Sequence, residues 1–230
     1  MKGVFRKNTI IPTGNDEHTS GILLVPEEGS RRIAVIVAHG AGNDMNTPLI
    51  VSFSEGLAKA GYPTLRFNFL YKDRGKKAPD RQETLVQTWQ SAYRFAADTL
   101  GTDVDSWVAA GKSMGGRVAS EMVSDGLLPV DRLILLGYPL HPSDNKEKLR
   151  DAHLRKIEIP MLFFAGTRDP LCNMEKLDGV LKQLRAPWDL RIIEGGDHSF
   201  HVPRGARIQD EEIFGQITAK TLEWLASPVS

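Results

Sequence analysis

The 230-residue chain is predicted to be an α/β protein with a mostly parallel, doubly wound sheet and helices on both faces. Three observations predict it. Short β-rich apolar runs alternate with longer stretches of three- and four-residue apolar spacing, the pattern of strand–helix–strand units. The central runs, IAVIV and LILL, are solidly apolar, as strands buried on both faces must be. Glycines fall where such elements have to stop or turn, as Gly61 does after a helical stretch.

Taken in chain order, Gly21–Val25 and Ile33–Ala38 read as strands. No helix separates the first segments, so the N-terminal edge of the sheet is expected to be antiparallel. Pro48–Ala60 reads as a helix, and Thr64–Phe69 as the next strand. A charged loop, YKDRGKKAPDRQ, carries Lys72, Arg74, Lys76 and Lys77. Glu83–Leu100 is a helix, with Leu85, Trp89, Ala92, Tyr93 and Ala96 on one face. Trp107–Ala110 is a strand, Gly115–Asp125 a helix and Leu133–Gly137 a strand. Met161–Gly166 and Leu190–Glu194 are strands around the helix Met174–Leu184, and Asp210–Leu225 is the last helix. There is no repeat, low-complexity tract or Pro/Gly/Ser-rich linker, so residues 1–230 are expected to form one domain.

Composition removes several function classes. Lysine plus arginine number 29, as do aspartate plus glutamate, for a net charge of zero. A nucleic-acid binder would normally be basic, so no nucleic-acid partner is expected. The single cysteine, Cys172, excludes an internal disulfide and any cysteine-rich zinc site, and no metal is expected. No apolar run approaches the ~18 residues of a membrane span. The N-terminus, MKGVFRKNTIIPTGNDE, lacks the apolar core of a secretory signal, so a reducing cytoplasm is the expected location.

The most informative stretch is Trp107–Gly116, WVAAGKSMGG. Gly111-Lys112-Ser113-Met114-Gly115 fits G-x-S-x-G and lies between a strand and a helix. A serine on so sharp a turn projects its hydroxyl above the sheet, and the backbone around it leaves room only for glycine two residues away on either side. The turn also puts the Met114 amide at a helix start, where it can stabilise an oxyanion. Two phosphate-binding readings fail. A P-loop ending in Gly111-Lys112-Ser113 would need glycine at Ser106, and a dinucleotide loop at Gly40-Ala41-Gly42 would need Gly or Ala at Met45.

His39-Gly40-Ala41-Gly42 leaves the end of a central strand, and the Ala41 amide is the expected second oxyanion donor. His39 itself reads as a structural hydrogen-bonding residue. Asp169 and His198 each stand just past a strand end, which completes the order Ser113, Asp169, His198 required of an acid–base relay. His201, in the same loop as His198, is the alternative base. Asp144 is the alternative acid, and Asp197 is expected to point away from the site.

VAHGAGNDMNTP (37–48), RFNFLY (66–71), GKKAPD (75–80), GKSMGGR (111–117), GTRDP (166–170) and GGDHSF (195–200) resemble the α/β-hydrolase superfamily. Within it they resemble the small dienelactone-hydrolase-like branch, and bacterial hydrolases akin to the mammalian testis-expressed hydrolase-like proteins. The resemblance spans nearly the whole chain. It implies a sheet of about seven or eight strands and no metal or organic cofactor. Dienelactone hydrolases proper use a cysteine nucleophile, whereas this elbow holds Ser113, so dienelactone chemistry is not implied.

Larger relatives insert a lid after the strand that ends at Gly137. Here only residues 138–159 separate Gly137 from Pro160, so an open cleft with little or no lid is expected. Phe69, Leu70, Tyr71, Leu140 and Phe200 are candidates for an acyl pocket, and core packing accounts for each equally well. The lysines and arginines of residues 138–159 read as a solvated face, and Lys72, Arg74, Lys76 and Lys77 would suit an anionic substrate, although the net charge of zero weighs against it. The expected activity is a serine hydrolase acting on a small-molecule ester or thioester. A peptidase or amidase with the same residues, and a hydrolase-like interaction module without catalysis, are the alternatives.

Overall fold

A computed structural model describes residues 3–14, 16–203 and 208–227. Eight strands form one sheet: β1 Val4–Gly14, β2 Glu17–Pro26, β3 Ile33–Ala38, β4 Thr64–Phe67, β5 Ser106–Lys112, β6 Arg132–Leu136, β7 Met161–Gly166 and β8 Trp188–Ile193. Their spatial order is β1-β2-β4-β3-β5-β6-β7-β8. The β1/β2 and β2/β4 pairs are antiparallel and the others are parallel. This is the predicted fold class, with the expected antiparallel N-terminal edge.

The pleat explains how the sheet is covered. Ile36, Ala109, Leu133, Leu135 and Phe163 face one side, with α3 (Gln82–Leu100), α4 (Met114–Ser124) and α5 (Met174–Leu181). Val35, Val37, Val108, Ala110, Ile134 and Phe164 face the other, with α1 (Pro48–Lys59) and α6 (Asp210–Ala226). Both faces of each central strand are therefore apolar, so those segments carry no polar alternation. Among the described residues no helix is long and apolar enough to cross a membrane.

The strand order also sets the place for a ligand. From β3 the chain moves outward to β4, then returns across β3 to β5. Connections leave the carboxyl ends of β3 and β5 in opposite directions, and the crevice between them is where open α/β sheets bind ligands. The segments that leave these two strand ends are 39–47 and 113 onward.

Besides shifted ends of β2, α5 and β8, the sequence reading differs from the structure in three places. β1 was not expected, because VFRKNTIIPTG reads as a polar tail. It is an edge strand with only Thr9, Ile11 and Thr13 buried, and its exposed Arg6, Lys7 and Pro12 suit an edge that must not recruit further strands. The strand expected over Thr64–Phe69 stops at Phe67, where its pairing with both Gly21 and Ala38 runs out. Asn68 then accepts from the Met45 amide and donates to Asp73, turning the chain into the short helix α2, Leu70–Asp73, so Lys72 lies on a helix.

Trp89 links this core to the turn after β5. It is fully buried, packs edge-on against Phe67 at 5.0 Å and donates its indole N–H to the Gly115 carbonyl at 3.2 Å. Trp89→Ala is expected to lower the unfolding free energy by about 3–5 kcal/mol, read from urea denaturation. A loss below about 1 kcal/mol would place the main core elsewhere.

Candidate active site

Ser113 joins β5 to α4 with φ 51° and ψ −115°, a conformation that costs a non-glycine residue roughly 1–3 kcal/mol. The neighbouring glycines show why the strain persists. A β-carbon on Gly111 would lie 2.2 Å from the Gly116 nitrogen, and one on Gly115 would lie 2.6 Å from the His39 carbonyl oxygen. The Ser113 amide donates to the Leu136 carbonyl at 3.0 Å, and its carbonyl accepts from the Arg117 amide at 2.9 Å. The serine is thus held from both sides.

The His198 loop closes onto it. His198 Nε2 lies 2.8 Å from Ser113 Oγ, and His198 Nδ1 lies 2.7 Å from Asp169 Oδ2. The Asp169 side chain is fully buried, and its other oxygen accepts from the Leu171 amide at 2.8 Å. A carboxylate beside Nδ1 places the proton there and leaves the Nε2 lone pair facing the serine hydroxyl. The loops that carry acid and base touch through backbone. A β-carbon on Gly166 would lie 2.2 Å from the Gly196 carbonyl oxygen, and the Arg168 amide donates to that oxygen at 2.9 Å.

The alternative acid and base lie apart from this chain of contacts. Asp144 is exposed. The His201 side chain is half exposed, with its Nε2 3.3 Å from Asp210. Asp197 braces the loop by accepting from the Ser199 and His201 amides at 2.7 and 3.0 Å. Cys172 is buried, and burial together with the nearby Asp169 charge pushes its thiol up to about 12. It stays protonated and unreactive near neutral pH.

His39 sets the other wall. Its Nε2 accepts from the Phe69 amide at 3.0 Å, so its Nδ1 carries the proton and donates to the Gly40 carbonyl at 2.8 Å. That carbonyl is drawn toward the core. Because the peptide is planar and trans, the Ala41 N–H points the opposite way. Ala41, Ser113 and Met114 line one cleft of about 700 Å³. Neither the Ala41 nor the Met114 amide donates to another group among the described residues. Burial pushes His39 down to about 4, with only partial opposition from its bond to Gly40.

The remaining cleft residues were not assigned to the site from the sequence, although Pro79, Asp80 and Arg117 lie within the quoted motifs. Pro79, Leu85, Pro139 and Leu171 supply apolar walls, and Asp80, Gln82, Arg117 and Arg150 supply polar ones. The proposed acyl-pocket residues Phe69, Leu70, Tyr71, Leu140 and Phe200 are all buried instead, and none lines the cleft. Large apolar side chains beside a site are more useful as its foundation than as its surface. The Lys72–Lys77 loop contributes nothing to the cleft either. Arg74 is held by Glu17 at 2.9 Å and by Asp80 at 3.4 Å. The segment after β6 folds on itself, with the Tyr138 hydroxyl donating to the Arg150 carbonyl at 2.6 Å and the Asn173 amide donating to His141 Nε2 at 2.9 Å. Among the described residues no three His, Cys, Asp or Glu side chains converge to hold a metal.

A family model described as an alpha/beta hydrolase domain matches residues 31–226. Among solved structures, a dienelactone hydrolase from Anabaena variabilis aligns with a TM-score of 0.75 and 21% identity over 99% of each chain. An α/β serine hydrolase without a lid from Xanthomonas campestris aligns at 0.70 and 18%, covering 97% of this chain and 96% of its own. An α/β serine hydrolase homologue from Coxiella burnetii aligns at 0.72 and 19%, covering 92% and 96%.

His39 makes stability pH-dependent. The unfolded chain takes up a proton near the ordinary imidazole value of 6.5, whereas the folded site resists until about 4. Between these values the unfolded state binds more protons, so stability contributed by neutral His39 is present above pH 6.5 and is lost as pH falls toward 4. That loss is expected to reach about 3 kcal/mol. Urea denaturation across this range should show a steeper acid slope for the parent protein than for His39→Gln, and equal slopes would refute the assignment.

Proposed function

The chain belongs to the alpha/beta hydrolase domain family, and on that footing we propose that it is a serine hydrolase cleaving carboxylic esters or thioesters through Ser113, His198 and Asp169. One observation carries the reading: a serine held at positive φ, within 2.8 Å of an imidazole whose other nitrogen meets a buried carboxylate. The eight strands share one sheet, which supports treating the chain as one hydrolase domain.

In the proposed cycle, Ser113 Oγ attacks the substrate carbonyl carbon while His198 Nε2 takes the hydroxyl proton. Asp169 stabilises the resulting imidazolium without itself accepting the proton. The carbonyl oxygen becomes an oxyanion and receives hydrogen bonds from the Ala41 and Met114 amides. Each such donor typically contributes about 3–4 kcal/mol to the transition state. Collapse breaks the bond to the leaving alcohol or thiol, which takes its proton from His198, and leaves the acyl group on Ser113. Water then repeats the sequence. His198 removes its proton, the acid departs, and Ser113 recovers its hydrogen.

The strain at Ser113 gives the reading two separate consequences. Ser113→Ala is expected to reduce ester turnover by on the order of 10⁴-fold or more. Ser113→Gly should be equally inactive yet up to about 1 kcal/mol more stable, because glycine accepts this backbone conformation. A fluorophosphonate probe should label the parent protein at Ser113 and neither variant. Absence of labelling would favour the interaction-module alternative, and faster turnover of a matched amide than of its ester would favour the peptidase or amidase.

A further inference from the structure

A second cavity, of about 250 Å³, lies on the α1/α6 face of the sheet. Its lining includes Lys112, Thr47 and Leu49, and shares no residue with the first cleft. Lys112 immediately precedes Ser113. On the β5 pleat it follows Ala110 toward α1 and α6, whereas Ala109 and Gly111 face the other way. The cavity is therefore beside the nucleophile, across the sheet edge from the first cleft.

Two features put unmatched positive charge on one side of this cavity. Lys112 is 6% exposed, yet its ammonium has no hydrogen-bond or ion-pair partner among the described residues. Its Nζ lies against the end of β6, where a β-carbon on Gly137 would meet it at 3.0 Å and the His198 carbonyl oxygen at 3.2 Å, and it is 5.6 Å from the centre of the Phe200 ring. An ammonium on so buried a side chain is costly without an acceptor, and burial lowers its proton affinity to about 8 against the opposing pull of the Asp169 and Asp197 charges. The second feature is the N-terminus of α1. Thr47 occupies the N-cap, but its hydroxyl caps no amide. Pro48 has no N–H to offer, and the first turn holds no acidic residue. The positive helix end and the Leu49 and Ile50 amides are left unmatched.

Acidic groups are present, but they answer another helix. Asp210 and Glu211 also line the cavity and belong to the first turn of α6, whose own positive end they complement. Asp210 additionally lies 3.3 Å from His201 Nε2. Neither acid is within ion-pair distance of Lys112.

From the unpartnered, buried Lys112 and the bare α1 N-terminus we infer an oxyanion subsite beside Ser113. It takes a carboxylate or phosphate group borne by the substrate away from the scissile carbonyl. The substrate part of this inference rests on the hydrolase reading above, whereas anion binding by the cavity does not.

The test uses Ser113→Ala protein at low ionic strength, titrated calorimetrically with succinate and, separately, with inorganic phosphate. At least one anion is expected to bind in the millimolar range or tighter, and the tighter of the two identifies the preferred group. Lys112→Met and Thr47→Asp should each weaken that binding about tenfold or more. Aspartate is a good N-cap, so Thr47→Asp should keep its melting temperature while placing a negative charge in the cavity. If neither anion binds at about 10 mM, or if both variants bind as the parent does, the subsite is overturned. With Ser113 intact, monoethyl succinate should be favoured over ethyl butyrate in kcat/KM, and the ratio should fall in both variants. Equal rates on the two esters would overturn the assignment of the cavity to substrate. Anion binding without turnover of any ester would instead overturn the hydrolase reading and leave the subsite standing.

Discussion

The site depends on a close approach of backbone to backbone around Ser113. Gly111 leaves no space for a β-carbon against Gly116, and Gly115 leaves none against the His39 carbonyl. This proximity lets β5 turn into α4 without a loop, which forces Ser113 to positive φ and aims its hydroxyl off the sheet. It also draws the segment after β3 against the start of α4, so Ala41 and Met114 come to line one cleft. Strain of roughly 1–3 kcal/mol at one residue is small beside the burial of the surrounding strands and Trp89. The fold can therefore hold a conformation that an isolated peptide would leave.

Burial then sorts the ionisable groups nearby. His39 and Cys172 are pushed toward their neutral forms, down to about 4 and up to about 12. Neither competes with Ser113 and His198 for protons near neutral pH. His39 serves through its hydrogen bonds, which orient the Gly40–Ala41 peptide. Asp169 is as buried as these but has hydrogen-bond partners for both oxygens, the His198 ring nitrogen and the Leu171 amide. The low-dielectric surroundings that discharge isolated groups make a paired carboxylate–imidazole contact stronger.

How much of this was legible in the sequence follows from the range of each interaction. Glycine spacing around Ser113, and Asp169 and His198 just past strand ends, are local signals, and the structure brings these three residues together. The central strands were legible because burial on both faces leaves an unbroken apolar run. β1 was not, because this edge strand buries only Thr9, Ile11 and Thr13 and leaves Arg6 and Lys7 among its exposed residues. The cleft lining was not legible either. Pro139, Arg150 and Leu171 come from segments whose approach depends on the order of the strands and lie outside every motif quoted, while Pro79 and Arg117 lie within GKKAPD and GKSMGGR without any local sign that they face the cleft.

Lys112 shows the same limit from the opposite direction. Within G-x-S-x-G its position is a free one, set by no turn geometry, and a lysine there reads as incidental. The pleat settles what it does. Its neighbours Gly111 and Ser113 serve the elbow, while its side chain leaves on the other face, where it lines one cavity with Thr47 and Leu49 of the α1 N-terminus. A net charge of zero averages over such arrangements. Twenty-nine charges of each sign can be paired on the surface, as Arg74 is with Glu17, and still leave one ammonium without a counter-ion beside the nucleophile. For a hydrolase of neutral composition, substrate charge is therefore decided by which individual charges the fold leaves unmatched, and here that charge lies one residue from Ser113.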